Sequence, residues 1–230
     1  MTSQFFRMSK VEVSAEQKSQ YDAKAEESFN KIVGLLADMS QFKLSKEDKG
    51  VKLYSRYDKD SSFAQVLSST VVEAPLDAVL SELRNVPIYE PSMDKAIRGE
   101  SLIQEYYPIE SPGEYNDGFV YCLLESPTRL VSKRDFLMYR KHFEKDGVHY
   151  FIHISVDYPG VRQPTKENVR GQIFQVDIAQ ADPQNKDQTI LQYFVHADPS
   201  GSIPAWVYNL TAESSGYDLL KVRDRVLQKK

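Results

Sequence analysis

From Ala96 to His196 the chain offers almost nothing but strands. Runs rich in β-branched and aromatic residues cover about 97–108, 118–125, 134–144, 148–156, 168–179 and 188–197. Clusters that favour turns separate them: Ser111-Pro112-Gly113-Glu114, Lys145-Asp146-Gly147, Tyr158-Pro159-Gly160 and Asp182-Pro183-Gln184-Asn185-Lys186. The Asp146-Gly147 pair signals a tight hairpin. Val148, Tyr150, Ile152, Ile154 and Val156 alternate onto one face. Strands that follow one another this closely leave no room for crossover helices, so parallel βαβ units are excluded and an antiparallel sheet is expected.

Helical patterns flank this block. Ser14 can cap a helix over 14–39, with Gln17 in the capping-box place and Ala25, Phe29, Ile32, Val33 and Leu36 at helical spacing. A polar connection over 40–50 ends in Lys49-Gly50 and is followed by strands at Val51–Tyr57 and Phe63–Val72. Pro75 opens a short helix, Leu76–Arg84, and Pro87 and Pro91 limit residues 88–94 to a single turn. After Asp198-Pro199-Ser200-Gly201, Pro204 starts a long helix that runs to about Leu227. The expected class is α+β: a strongly bent antiparallel sheet of about eight to nine strands wrapped around the C-terminal helix, which can enclose a ligand-sized cavity. Residues 1–13 read as a flexible leader and 14–230 as one domain.

Composition removes several functions. The formal net charge is −4, which supplies no basic excess for nucleic acid. Cys122 is the one cysteine, so neither an internal disulfide nor a cysteine cluster is expected. No apolar run reaches a membrane-spanning length, the first residues lack a signal peptide's apolar stretch, and the ends match no lipidation pattern. A cytoplasmic protein is expected. No Gly-x-Ser-x-Gly, P-loop, Gly-x-Gly-x-x-Gly or His-Glu-x-x-His occurs. His149 and His153 lie four apart on a strand, a separation of ~13 Å that prevents them from sharing a metal, and they read as ordinary surface residues. No enzymatic activity, cofactor or metal is expected.

Three short motifs carry a resemblance. Arg134-Asp135-Phe136 followed by Arg140, then Val169-Arg170-Gly171, then Asp198-Pro199-Ser200-Gly201-Ser202-Ile203-Pro204 occur in order on a strand, a strand and a helix start. Together they resemble the START lipid-transfer domain family over about residues 45–228, in its minimal single-domain form. The resemblance implies a helix-grip fold that holds one lipid, of phospholipid, sterol or ceramide class, in an internal tunnel, and touches membranes transiently to carry it. It implies no nucleic-acid partner. It matches the segment Glu125–Lys133 to the lid loop, with Leu130 and Val131 as its apolar tip.

The resemblance also nominates ligand contacts. Arg140 takes the inward arginine position of sterol-binding members, and regular alternation puts Arg134, Phe136 and Met138 on its face. The acidic partner of that arginine falls near Tyr121, with Glu125 and Asp117 as offset alternatives. Glu90 stands where phosphatidylcholine-type members have an arginine, and Met93-Asp94 where a Trp-Asp pair is usual. Tyr121, Tyr139, Tyr193, Gln175 and Asn209 can supply head-group hydrogen bonds. Trp206, with Leu210 on the same helix, can line the cavity or meet a membrane, and core packing is the plainer role for the indole.

Overall fold

A computed structural model of the chain describes residues 11–59, 61–84, 101–109, 117–124, 132–158, 160, 163–201 and 203–229, with backbone alone for 101–104, 210 and 211. The expected turn over 88–94, Glu90, Met93-Asp94 and the lid-loop residues Glu125, Leu130 and Val131 lie outside the described residues.

The described strands are β1 (Lys43–Asp48), β2 (Val51–Arg56), β3 (Gln65–Val72), β4 (Ser101–Pro108), β5 (Gly118–Leu124), β6 (Lys133–Lys145), β7 (Val148–Ser155), β8 (Asn168–Arg170), β9 (Gln172–Ala181) and β10 (Thr189–Asp198). They form one sheet in the order β1-β2-β3-β10-β9-β7-β6-β5-β4. All those neighbours are antiparallel. β8 lies off this path and pairs in parallel with β6, Lys133 against Asn168 through Asp135 against Arg170. The β1–β2 and β6–β7 turns use Lys49-Gly50 and Asp146-Gly147, all four at positive φ, which the strands' right-handed twist favours in two-residue hairpins.

β1 corrects the expectation of a polar connection over 40–50. Its sequence is almost wholly polar and its side chains are mostly exposed. As an edge strand it needs no apolar face, and charges there discourage pairing with other chains.

Helix α1 (Ala15–Ala37) opens with the expected capping box: Gln17 N donates to Ser14 Oγ at 3.1 Å, and Ser14 N to Gln17 Oε1 at 3.2 Å. It packs on β6 and β7, on the sheet's outer face. Helices α2 (Leu76–Arg84), α3 (Ala205–Ser215) and α4 (Leu219–Gln228) cover the opposite, gripped face, against β3, β9 and β10. The long C-terminal helix expected from the sequence is therefore two helices, interrupted over 216–218. At the interruption the chain passes close to β2, where only glycine fits: a Cβ on Gly216 would stand 2.5 Å from Leu53 Cδ2.

Two apolar cores result. Under α1 lie Tyr21, Ile32, Phe119, Leu137, Ile152 and Phe194. On the gripped face lie Val66, Val120, Phe136, Leu191, Val195 and Val222. At the end of the expected leader, Val11 bridges Ile109 in parallel.

Candidate functional site

Alternation along β6 sends Phe136, Met138 and Arg140 to the gripped face and Leu137 and Tyr139 to the outer one. Cross-strand register then assembles a polar group in the middle of the apolar gripped face. Arg140 stands opposite His153, and His153 opposite Gln175. One step along, Phe151 pairs with Asp177, and Asp177 with Tyr193. Arg140 is only 2% exposed. Its Nη2 donates to the Leu83 carbonyl at 2.6 Å, which ties β6 to the end of α2. Its guanidinium also lies 4.9 Å from the Phe151 ring centre, a cation–π distance.

His153 is 7% exposed, and its Nδ1 has no hydrogen-bond partner among the described residues. Burial, and then the charge of Arg140, pull its pKa down to about 3, so the imidazole is neutral. Asp177 Oδ2 is 3.9 Å from that nitrogen. Burial pushes the Asp177 carboxyl up to about 7, against the opposing pull of Arg140. Burial, followed by the charges of Asp218 and Asp177, likewise raises the Tyr193 hydroxyl, which stays protonated.

The sequence candidates divide accordingly. Arg140, Phe136, Met138, Tyr193 and Gln175 come together on the gripped face. Tyr121 and Tyr139 belong to the opposite face: Tyr121 donates to Asp135 Oδ2 at 3.2 Å, and Tyr139 to Asp22 Oδ1 of α1 at 2.7 Å. Tyr121's place therefore supplies no partner to Arg140. Among the described residues, the carboxylates of Asp177 and Asp117 act on it by charge. Asn209 pins α3 to the β2–β3 connection, accepting from Ala64 N at 2.9 Å and donating to the Ser62 carbonyl at 3.3 Å. Leu210 lies within α3. Trp206 is 67% exposed, which corrects its expected packing in the core.

Two residues of the polar group escaped the sequence reading. His149 and His153 are buried and not on the surface. The sequence assigned one face of their strand to the core and left the other to solvent, but the fold covers both. Asp177, between Val176 and Ile178, carried the only available signal: it is the one charged residue of β9. His142 Nε2 also meets His149 Nδ1 at 3.1 Å, a contact that the strand spacing alone does not show. No group of three or more metal-ligating side chains occurs among the described residues.

A family model for the START domain matches residues 40–230. The chain belongs to the START domain family. Among solved structures, human StAR-related lipid transfer protein 5 superposes with a TM-score of 0.70 at 19% identity, over 92% of this chain and 98% of that one. Human STARD10 gives 0.65 at 16% identity, over 97% and 83%. A STAR-related lipid transfer protein from Xanthomonas axonopodis gives 0.63 at 21%, over 81% and 98%. No curated protein sequence matches.

In this START domain the three sequence motifs touch one another. Arg134 donates from Nε to the Pro199 carbonyl and from Nη2 to the Ser200 carbonyl, both at 3.1 Å, and so holds the turn that enters α3. Asp135, 1% exposed, receives Arg170 Nε at 2.9 Å and Nη2 at 3.2 Å. Gly171 N donates to the Asp135 carbonyl at 2.9 Å. A Cβ on Gly171 would meet Phe136 Cε1 at 2.5 Å. The motifs are a structural clasp between β6, β8 and the start of α3, and they aim β6 so that Arg140 faces inward.

Proposed function

We propose that this START domain binds one lipid in an apolar tunnel between the gripped face and α2, α3 and α4, and carries it between membranes. The observation that carries the reading is a buried polar group, with His153 Nδ1 lacking a partner, set in a face that is otherwise apolar. A closed core gains nothing from such a group, since an unmet buried polar atom costs about 1–3 kcal/mol. A lipid head that meets it turns that cost into selectivity. The tails supply the affinity: roughly 500 Å² of apolar surface at about 25 cal/mol per Å² is about 12 kcal/mol. Arg140, Phe136, Met138, Gln175 and Tyr193 line the tunnel in this reading, with His153 and Asp177. Exposed Trp206, beside exposed Pro204 at the entry to α3, is the membrane contact. The protein works from the cytoplasm, meets bilayers only transiently, and catalyses no reaction.

The test is native mass spectrometry after incubation with liposomes, followed by transfer between donor and acceptor vesicles. One bound lipid per chain and protein-dependent transfer are expected. Absence of any bound lipid would overturn the proposal. Stable loading without transfer would favour the alternative, a module in which the lipid switches a protein-binding surface.

A further inference from the structure

Two polar atoms on the gripped face have a spacing that constrains what binds there. His153 Nδ1 on β7 and Asp177 Oδ2 on β9 stand 3.9 Å apart. That is too far for a hydrogen bond between them, and the nitrogen has no other partner among the described residues. A single ligand atom placed about 2.8 Å from both would see them at an angle of about 90°, close to the angle between a hydroxyl's donor and acceptor directions. The two groups are fixed where they stand. Their strands pair directly, His153 against Gln175, and Gln175 hydrogen-bonds Asp177 from the same face.

The ligand atom must satisfy both sides. A neutral imidazole offers either N–H or a lone pair at Nδ1. Asp177 accepts when ionised and donates when protonated, and burial brings those two states together near neutral pH. A binding atom with one O–H and two lone pairs meets three of the four combinations, failing only where both partners accept. An alcohol oxygen is such an atom. Ester, phosphodiester and carboxylate oxygens only accept and so meet just the combination in which both partners donate, an ammonium meets just the one in which both accept, and a trimethylammonium meets none.

We infer that His153 and Asp177 form a hydroxyl-binding pair, and that the lipid's recognised group is an alcohol, as in a sterol, a diacylglycerol or a ceramide, and not a phosphodiester. Arg140 beside His153 and Tyr193 beside Asp177 flank the pair and close it to water. This rests on the lipid-carrier reading, because the hydroxyl must arrive on an apolar molecule that fills the rest of the face.

The experiment incubates the protein with phosphatidylcholine vesicles, either plain or doped with cholesterol, dioleoylglycerol or an N-acyl sphingosine. Parallel vesicles contain the O-methyl ether of each alcohol. Lipid bound to the re-isolated protein is quantified by mass spectrometry. One of the alcohols is expected to displace phosphatidylcholine, its ether to bind at least about tenfold less, and His153→Leu to lose that preference. Equal uptake of alcohol and ether, or saturation by phosphatidylcholine with no preference for an alcohol, overturns the inference and leaves the carrier reading standing. Failure to take up any lipid overturns both. If His153→Leu does not fold, the alcohol and ether pair decides on the unaltered protein.

Discussion

Asp177 shows how a single buried group ties ligand binding to stability. Its carboxyl titrates at about 7 in the folded chain and from a normal value of 3.8 outside it. The folded state therefore holds this proton more tightly than the unfolded one. The resulting stabilisation is complete below about pH 4 and is lost as pH rises through 7, a total of about 4 kcal/mol. His153 runs the other way. Its folded value of about 3 lies below the normal 6.5, so its contribution is complete above pH 6.5 and fades as pH falls toward 3. Asp177→Asn mimics the protonated acid at every pH. Its urea midpoint is expected to gain on the unaltered protein from pH 5 to about pH 7 and then to level off toward pH 8. A gap between the two that stays constant over that range would show that Asp177 keeps one ionisation state throughout. Strand alternation alone places Phe136, Met138 and Arg140 on one face, and Gln175 and Tyr193 stand out in the sequence only as hydrogen-bonding side chains. The burial of His153 and Asp177 is not legible there, because alternation tells which residues share a face, and not whether that face meets solvent or a helix.

The polar contacts that hold the elements covering this face differ in worth. Glu82 of α2 is 4% exposed and is clasped by Arg225 Nε and, at 2.6 Å, by Lys229 Nζ of α4. Burial alone would raise its pKa, yet these two cations bring it below the normal value. Removing a partner from a buried charge costs about 3–5 kcal/mol, whereas an exposed pair is worth about 0–1. The Arg225 side chain is half-buried and that of Lys229 is 65% exposed. Arg225→Ala is therefore expected to cost about 3 kcal/mol and to speed amide exchange across 219–228, with Lys229→Ala nearly silent. Equal effects of the two substitutions would remove the buried carboxylate from this account. The interruption between α3 and α4 was not legible, because Trp206, Val207, Leu210, Tyr217, Leu220 and Val226 keep a helical rhythm across it. At the break Gly216 passes close to Leu53, and the chain positions of the two say nothing of their meeting. β1 was hidden for the opposite reason: an exposed edge strand has no apolar rhythm to read. The hairpins at Lys49-Gly50 and Asp146-Gly147, the capping box at Ser14 and the strand runs were legible because each depends on residues close in sequence.

Over the whole molecule, the sheet separates two tasks. Its outer face is closed by α1, which lies before the START match that begins at residue 40. That face is packed with rings: Tyr21 lies edge-on to Phe119 at 5.5 Å, and Phe29 stacks on Phe143 at 4.7 Å. Asp22 adds ion pairs to Lys18 at 2.8 Å and Lys141 at 2.5 Å, with Asp117 3.3 Å from Lys18. The polar groups named here meet one another. The gripped face gives up some of that self-sufficiency around His153. Stability and lipid uptake should therefore come apart by face. Ile32 is fully buried under α1, and Ile32→Ala is expected to cost about 2–5 kcal/mol while lipid uptake from vesicles, measured where the variant is still folded, stays unchanged. Met138 on the gripped face, 4% exposed, is expected to show the converse. Met138→Ala costs less than the same truncation in a filled core once lipid is bound, because tail atoms occupy the space it leaves, and its uptake shifts toward bulkier lipids. Urea unfolding with and without vesicle-loaded lipid separates the two cases. Loss of uptake by Ile32→Ala at full foldedness would mean that the two faces are coupled through the sheet and that α1 belongs to the binding machinery.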